Sequence, residues 1–368
     1  MLRKLAVVTC QPDPDYVRAR TLRAGLAAIS DIKVLVLKNR YRGVLRYLEI
    51  AWKLVVIRWK HNPDIYLLTF RGYEILPWLL LLARGKKVIF DEFINPIEWV
   101  AYEHKLLSPH GFVCRVLSSF YSFLLKHCDA IVTDTKSHAK LSACLSNIPE
   151  SKYFTIHVGT DESIFAPATR IAPENSNVFR VFFYGNILPL HGLDVILDAA
   201  LQLRSYADIE FLLIGGRAPH ASQVEQAVRS GARIIYKQFV PFEELASHIH
   251  RASICLAGPF GNTLQARHVI TGKAFQFLAC ASPTIVGDNL ASSVFSDKRN
   301  ALIVPQSDSN ALSDAILWGY MHRDLLVEIG KSGKRLYEDL FSTKSISAGI
   351  SRLLIHLDET VPLHAKVQ

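Results

Sequence analysis

Short, continuously apolar segments alternate with segments of helical periodicity along this whole chain, and this alternation constrains the fold more than any other feature. The first apolar segments are Leu5–Thr9, Ile32–Leu37 and Ile65–Phe70. Strands of a parallel sheet are apolar throughout because helices cover both of its faces. The pattern therefore predicts a doubly wound α/β fold, with helices such as Ile97–Lys105 and Ser222–Arg229 between the strands.

The pattern runs through twice, with an interruption between the two passes. Residues Ala166–Asn177 (APATRIAPENSN) are rich in Pro, Asn and Ser and show no periodicity, which indicates a linker. A chain of 368 residues that is half apolar can bury two cores. We therefore expect two tandem Rossmann-like domains, with a ligand cleft between the carboxyl edges of their sheets.

The positive charge of the chain is concentrated near its N-terminus. Residues 1–60 hold 13 Lys and Arg against 4 Asp and Glu, which equals the net charge of +9 of the whole chain. Within them, Lys38–Lys60 interleaves cations with Tyr, Trp, Leu and Val at roughly helical spacing. Such a basic amphipathic helix is a candidate for binding an anionic membrane surface, which charge reversal at Arg42, Arg46 and Lys53 should weaken. A solvated helix of an ordinary α/β domain explains the same pattern.

The segment Gly261–Asp288 has the layout of a nucleotide site. It predicts a helix from about Gly272 to Ala281, entered through a polar loop that carries Arg267 and His268. In open α/β sheets, ligands bind beyond the carboxyl ends of strands, where helix N-termini present free backbone N–H groups to phosphate. Lys273 lies in the first helical turn, where a cation is unfavourable unless an anion binds beside it. A lysine that points to water explains the same position.

Two further turns of the second domain repeat this layout. FYGNILPLHG and LIGGRAP each place glycines directly after a predicted strand. Glycine permits tight turns and a close approach of the backbone to a ligand. Each turn is weak evidence by itself, but together with Lys273 they indicate a site for a diphosphate. The residues of these turns that we expect to bind the ligand are Gly185, Asn186, His191, Gly192, Gly215 and Arg217.

These segments resemble those of a known family. FYGNILPLHGLDVILDAALQL, FLLIGG, GKAFQFLACASPTIVGDN and KRNALIVPQSDSNALSDAI are similar to the donor half of family 4 glycosyltransferases, the two-Rossmann GT-B type within the glycosyl transferases of group 1. In the first domain, HCDAIVTDTKSHAKLSA and KYFTIHVGTDESIFAP look like the segments that lead into the linker of that family. The resemblance runs through nearly the whole chain.

The resemblance implies a retaining glycosyltransferase of the hexosyltransferase class, acting in polysaccharide or glycolipid synthesis. Residues 1–168 would bind a glycan or lipid-linked acceptor, residues 169–342 the nucleotide-sugar donor, and residues 343–368 would form a C-terminal helix that packs back on the first domain. Apart from the nucleotide-diphosphate sugar as substrate, we expect no cofactor. We also expect no metal, because helix N-termini and cations can stabilise a leaving diphosphate.

The chain departs from the family pattern at the donor site. Where the family often has two glutamates eight positions apart, this sequence has His268 and Gln276. Gln276 can hydrogen bond a ribose hydroxyl, but without the added strength of a charge. The phosphate-binding Arg and Lys of the first loop are here Asn186 and His191. The cations that we expect to replace them are Arg267 and Lys273.

Two acids at the carboxyl end of the fourth predicted strand are the first candidates for catalysis. Asp91 and Glu92 directly follow Lys87–Phe90, and sites in α/β folds lie at strand ends. Either acid can orient the acceptor hydroxyl or contact the donor sugar, and either can instead cap the next helix. Asp134 and His138 in TDTKSH are a second candidate pair, although helix capping explains them as well.

Other function classes lack their signatures. The chain has no Gly-x-Gly-x-x-Gly after its first strand, no Gly-x-Ser-x-Gly and no base-reading motif. We therefore expect no dehydrogenase, no serine hydrolase and no nucleic-acid partner. The six cysteines lack zinc spacing and are expected to be buried thiols. No segment fits a membrane span or a signal peptide, so we expect a cytoplasmic protein, with peripheral attachment to the inner membrane face as an extension.

Two other functions fit the same pattern. A sugar-nucleotide epimerase or hydrolase on this fold would convert the donor without an acceptor. The neutral residues at the donor site also fit a non-catalytic partner subunit of a glycosyltransferase, which would bind no donor.

Overall fold

The computed structural model describes residues 3–168 and 178–359, which divide into two compact units. The first unit comprises Met1–Val158 and Thr343–Gln368, and the second comprises Gly159–Ser342. The second unit thus begins before the boundary that the sequence predicts at residue 168. Residues 169–177 of the predicted linker lie outside the described residues.

The described part of the first unit contains one sheet of six parallel strands. The strands are β1 (Arg3–Thr9), β2 (Ile32–Lys38), β3 (Ile65–Leu68), β4 (Lys87–Asp91), β5 (Ala130–Thr133) and β6 (Tyr153–Thr155). They lie in the order β2-β1-β3-β4-β5-β6, so the direction of winding reverses between β1 and β3. The helices of this unit are α1 (Val17–Ala27), α2 (Leu45–His61), α3 (Leu76–Leu82), α4 (Phe112–Lys126), α5 (Lys136–Ser146) and α12 (Thr343–Glu359).

Helices cover both faces of this sheet. Successive side chains of a strand point to opposite faces, and in β1 the side chains Ala6 and Val8 belong to one core while Leu5 and Val7 belong to another. Helices α2, α3 and α4 pack on the first core. Helices α1 and α12 pack on the second. Burial on both faces explains why the strands are apolar throughout.

The last helix, α12, closes one face of the first unit. Its side chains Ile346 and Ile350 share a core with Leu22 of α1. Gly25 allows the two helices to approach, because a Cβ there would lie only 2.7 Å from Ile346 Cγ2 and 3.3 Å from the Ser347 backbone nitrogen.

The described part of the second unit also contains one sheet of six parallel strands. These are β7 (Phe179–Gly185), β8 (Ile209–Gly215), β9 (Ile234–Lys237), β10 (Ile254–Gly258), β11 (Thr284–Asp288) and β12 (Leu302–Pro305). Their order is β12-β11-β10-β7-β8-β9, which is the strand order of the Rossmann fold. The helices are α6 (Leu193–Gln202), α7 (Ala218–Arg229), α8 (Leu245–His250), α9 (Gly272–Ala279), α10 (Ser309–Met321) and α11 (Arg323–Leu340). The predicted doubly wound α/β fold is thereby confirmed in both units.

Three local predictions differ from the structure. The segment predicted as a helix over Ile97–Lys105 is wound as a π-helix, Glu98–Glu103. Helix α7 begins at Ala218, before the predicted start at Ser222, since a proline is tolerated in the first helical turn, where its missing N–H has no partner to lose. Five of the six cysteines are buried as expected, but Cys144 is exposed.

No helix among residues 3–168 and 178–359 combines the length and the apolar character needed to cross a membrane.

The close contact between α1 and α12 leads to a test of the fold. Gly25→Leu should lower the free energy of unfolding of the first unit by about 1–3 kcal/mol, because the new side chain forces the two helices apart. This effect opposes the better helix propensity of leucine. Thermal unfolding measures the change. Ala24→Leu is the control, since Ala24 is exposed on the same helix, and equal midpoints for the two variants would contradict the packing described.

Candidate functional site

The turns after β7 and β10 meet at the point where the winding of the second sheet reverses. Gly185 ends β7 and Gly258 ends β10. A Cβ at Gly192, just before α6, would lie 2.7 Å from the Gly261 backbone nitrogen, and a Cβ at Gly261 would lie 2.2 Å from Pro189 O. The two loops therefore pack backbone against backbone, and glycine is required at both positions. Ligands of Rossmann folds bind at this reversal point.

The first turn of α9 directs a buried lysine at this junction. Lys273 is 6% exposed, and its Nζ lies 4.9 Å from the centre of the Phe183 ring. A Cβ at Gly185 would lie 3.6 Å from both Lys273 Cε and His191 Cε1. The structure thus brings together Gly185, His191 and Lys273 at the end of β7.

The ammonium of Lys273 and the amide oxygen of Gln276 are buried without hydrogen-bond partners among the described residues. Burial lowers the pKa of Lys273 to about 7. Gln276 lies three residues further along α9, so it shares the face of Lys273. Buried polar groups without partners are unfavourable. A ligand with anionic oxygens and a hydroxyl group supplies both missing partners.

The N-terminus of α9 is left without a side-chain cap. Thr271 occupies the capping position, but its hydroxyl donates to Ala257 O of β10 at 2.8 Å and does not cap the helix. The backbone N–H groups of Gly272 and Lys273 therefore form, with the helix dipole, a favourable place for an anion. Thr271 was not among the site residues predicted from the sequence. Its position directly before the predicted helix could have identified it as a residue of the helix N-terminus.

His191 is held as a neutral imidazole. Burial, and after it the charge of Lys273, lowers the pKa of His191 to about 2. Its Nδ1 lies 3.1 Å from the Leu188 backbone N–H, from which it accepts a hydrogen bond. The proton therefore resides on Nε2, and His191 offers one N–H donor without adding a charge.

The other predicted residues of the first two turns are less buried. A Cβ at Gly215 would lie 2.1 Å from Gly185 O, so the ends of β8 and β7 are in backbone contact. Asn186 is exposed after β7, and Arg217 is exposed at the start of α7. These two side chains can reach a ligand only from the solvent side of the junction.

The polar loop before α9 holds the last two predicted residues. Arg267 is exposed, and its Nη2 donates to Asn262 Oδ1 at 2.7 Å. His268 is half-buried. Because an exposed cation is screened by water, Arg267 is a weaker candidate for binding phosphate than the buried Lys273.

In the first unit, Asp91 is part of a buried ion pair. Arg18 and Asp91 are both fully buried, and Arg18 Nε and Nη2 lie 3.0 and 2.9 Å from Asp91 Oδ1. Arg18 Nη1 also donates to His157 O at 2.9 Å. The pair joins α1 to the ends of β4 and β6. In this structure Asp91 has a structural role, and its predicted catalytic role stays a prediction.

Glu92 is fully buried and surrounded by hydrogen-bond donors. Tyr121 donates to its Oε2, and Ser142 and Asn95 donate to its Oε1. Burial raises the pKa of Glu92 despite these hydrogen bonds. A carboxyl with a raised pKa can hold a proton, but the catalytic role of Glu92 also stays a prediction.

The second predicted pair, Asp134 and His138, belongs to a buried triad with Glu98. His138 Nδ1 lies 2.8 Å from Asp134 Oδ1, and His138 Nε2 lies 3.5 Å from Glu98 Oε2. Burial disfavours the imidazolium, but the two carboxylates outweigh burial and raise the pKa of His138 well above its ordinary value. Glu98 was missed from the sequence, because nothing near it in the chain shows that the π-helix faces α5.

Metal binding has no support in the described residues. Within 3–168 and 178–359, no group of three or more His, Cys, Asp or Glu side chains is placed to hold a metal ion. Independence of metal stays a prediction.

A family model matches most of the second unit. Residues 178–321 match the family described as Glycosyl transferases group 1. No curated protein sequence matches the chain.

The fold of the chain is similar to those of several solved proteins over nearly the whole length. Sucrose-phosphate synthase from Thermosynechococcus elongatus matches with a TM-score of 0.73 and 15% identity, covering 97% of this chain and 99% of that one. The Anabaena protein Alr3699/HepE in complex with UDP matches with a TM-score of 0.70 and 12% identity, covering 96% of this chain and 100% of that one. A glycosyltransferase from Rickettsia africae ESF-5 matches with a TM-score of 0.68 and 15% identity, covering 98% and 99%. At these identities the likeness shows the fold.

The buried triad leads to a prediction of pH-dependent stability. His138→Gln should lower the free energy of unfolding by about 3–5 kcal/mol at pH 6, because Glu98 and Asp134 lose the buried cation between them. The folded pKa of His138 is raised above the unfolded value of about 6.5, so its contribution is full below that pH and is lost as pH rises through the folded pKa. Urea unfolding at several pH values measures this.

The gap between wild type and His138→Gln should therefore be widest in acid and narrow in alkali. The control is His110→Gln, since His110 is exposed in the same unit. A gap of constant width would contradict the charge assigned to the triad.

Removal of the buried ammonium of Lys273 should stabilise the protein, whereas removal of the His138 imidazole should destabilise it. Lys273→Met should raise the free energy of unfolding at pH 7 by at least about 1 kcal/mol, because the folded pKa lies more than one unit below that of an unfolded lysine, and one unit corresponds to about 1.4 kcal/mol. The gain should be full below pH 7 and should vanish as pH rises through about 10.4, where the unfolded lysine loses its proton.

Urea unfolding between pH 6 and about 10.4, the ordinary pKa of lysine, measures this gain. The control is Lys331→Met, since Lys331 is exposed on α11. A Lys273→Met protein that is less stable than wild type at pH 7 would show that the ammonium has a partner.

Proposed function

We propose that the protein transfers a sugar from a nucleotide-sugar donor to a glycan or lipid-linked acceptor, and the match of residues 178–321 to the group 1 glycosyl transferases supports this. The observation that carries the proposal is the ammonium of Lys273, which is buried at the start of a helix and has no hydrogen-bond partner among the described residues. It lies at the reversal point of a Rossmann sheet, where a diphosphate is expected. The resemblance to this family predicted from the sequence is confirmed by the match.

The proposed donor binds with its diphosphate between the turn after β7 and the start of α9. Lys273 supplies the positive charge, and the backbone N–H groups at the start of α9 supply hydrogen bonds. His191 adds a neutral donor, and Gln276 accepts from a ribose hydroxyl. Lys273 and Gln276 are buried and His191 is half-buried, so water competes weakly for the ligand at the two buried groups.

In the proposed reaction, the bond between the sugar C1 and the diphosphate oxygen breaks, and a bond between C1 and the acceptor oxygen forms on the same face. The acceptor hydroxyl passes its proton to the departing phosphate oxygen. The reaction therefore needs no protein nucleophile. Lys273 and the start of α9 stabilise the negative charge that develops on the diphosphate. The expected product retains the anomeric configuration of the donor, and no metal ion takes part.

Asp91 and Glu92 come second among the residues to test. Both are fully buried, and Arg18 and Tyr121 hold them in place. Contact with a sugar requires them to leave these partners.

A UDP-sugar is the first donor to test. The similar Anabaena protein has been solved in complexes with UDP and with UDP-glucose. GDP- and ADP-sugars complete the set of donors, because the proposed contacts are with the diphosphate and the ribose, which all three donors share.

Donor binding should depend on Lys273. The thermal unfolding midpoint of wild type should rise with donor concentration according to mass action, and the midpoint of Lys273→Met should not. Turnover by Lys273→Met should fall by a factor of about 10²–10³, the typical loss when one group that stabilises a developing negative charge is removed. Because Lys273→Met is expected to be at least as stable as wild type without ligand, unfolding cannot explain such a loss.

Two variants serve as controls for this experiment. Lys331→Met removes an exposed lysine and should behave as wild type, and Arg267→Ala measures the contribution of the exposed cation. Donor consumption that is unaffected by Lys273→Met would contradict the proposed site. Donor conversion without acceptor would indicate an epimerase or hydrolase. A wild-type protein that none of the donors stabilises would indicate a partner subunit.

A further inference from the structure

The outer surface of three helices in the first unit is unusually apolar. Helices α2, α3 and α4 pack on the same core and therefore lie on the same face of the sheet. In α3, the Trp78 Nε1 group donates to Ala51 O of α2 at 3.4 Å, which places the two helices side by side. Both Trp78 and Leu81 of α3 are exposed. We call this outer surface of α2, α3 and α4 the apolar face.

Helix α2 contributes a regular stripe to the apolar face. Its exposed large apolar residues follow one another at intervals of three and four positions, so they lie on one side of the helix. The side chain of Trp59 is 91% exposed. The residues of the stripe are Leu45, Leu48, Trp52, Val55 and Trp59.

Helix α4 is apolar on its outer side as well as on its inner side. Tyr121, Leu124 and Leu125 are buried in the core. The opposite side is exposed, with Phe112 at 79%. A helix that is apolar all round is normally surrounded by protein or lipid. The exposed apolar residues of α4 are Phe112, Val113, Val116, Leu117, Phe120 and Phe123.

Most of the charges around the apolar face are positive, although the exposed Glu74 precedes α3 and accepts a hydrogen bond from Tyr47 of α2. The sequence of α4 contains Arg115 and Lys126 and no acid. The one acid of α2, Glu49, is paired with Lys53 at 2.6 Å. Arg42, just before α2, and Lys60 near its end are exposed. Together with the net charge of +9 of residues 1–60, this arrangement is complementary to a negatively charged surface.

We propose that the apolar face docks on an anionic lipid bilayer. The phenylalanines of α4 insert among the lipid chains, and α2 lies at the level of the headgroups, where tryptophan and basic side chains are favourable. Each cation near an anionic bilayer adds to the affinity in a salt-dependent way. Of the three residues that the sequence suggested for charge reversal, Arg42 remains suitable. Lys53 is paired with Glu49, and Arg46 donates to Tyr47, so Lys60 replaces them.

Docking on a bilayer does not depend on the transfer reaction, so it is tested without any donor. Wild type is sedimented with vesicles of phosphatidylcholine and phosphatidylglycerol in equal amounts, and with vesicles of phosphatidylcholine alone, at low and high salt. We expect binding to the mixed vesicles, weakened by salt, and at least about tenfold weaker binding to phosphatidylcholine alone.

Two variants separate the parts of the face. The double variant Phe112→Ser with Phe120→Ser should weaken binding at least about tenfold at both salt concentrations. The reason is that two phenyl rings are no longer transferred from water into the lipid chains. Its control is Leu325→Ser with Val327→Ser, which changes two exposed apolar residues of α11.

Arg42→Glu with Lys60→Glu should weaken binding at least about tenfold at low salt and less at high salt. Its control, on α11, is Lys331→Glu with Arg335→Glu.

Several results would overturn the proposal. They are a wild type that does not bind the mixed vesicles, an α4 variant that binds as wild type does, and equal binding to both kinds of vesicle. Sedimentation equilibrium is measured on the same proteins, and a wild-type dimer that the α4 variant dissociates would assign the face to a second copy of the chain. Circular dichroism and thermal unfolding must match wild type for each variant, which is expected because the substituted side chains are exposed.

Discussion

The second unit is organised around an ammonium group that its fold buries and that has no hydrogen-bond partner in the part of the chain that the structure describes. Three features combine to hold Lys273 in this state: the phenyl ring of Phe183 beneath it, the turn at Gly185 beside it, and the start of α9, from which it extends. A protein selected for stability alone would place a methionine or leucine there. The unfavourable burial of this lysine supports the proposal that an anion binds beside it, since perturbed charges of this kind are common at functional sites.

Buried charges in the two units differ in this respect. In the first unit, Asp91 has Arg18 as its partner, and His138 has two carboxylates. Each of these charges has an oppositely charged neighbour within the first unit. In the second unit, the Lys273 ammonium and the Gln276 amide oxygen have no hydrogen-bond partner among the described residues, and burial alone lowers the pKa of Lys273. This contrast in charge pairing supports the proposed donor site in the second unit, although both units have the same kind of sheet.

The sequence predicted the parts of this structure that depend on neighbours in the chain. Apolar strands, glycine turns and the helix that begins at Gly272 all leave a local pattern, and all were found where expected. Contacts between distant residues leave no such pattern. Arg18 and Asp91 are 73 residues apart, and no local signal joins them. The exposed side of α4 was missed for the same reason, because a helix that is apolar on both sides has the same composition whether or not a second layer covers it.

The position of α12 has a consequence for biosynthesis. The chain completes the second unit, Gly159–Ser342, before it returns to the first unit with Thr343. Until that last helix leaves the ribosome, the face of the first sheet that carries Leu5 and Val7 is covered by α1 without α12. The domain that is synthesised first is thus finished last, and its nascent form presents an incomplete hydrophobic face for as long as the ribosome takes to make the intervening residues.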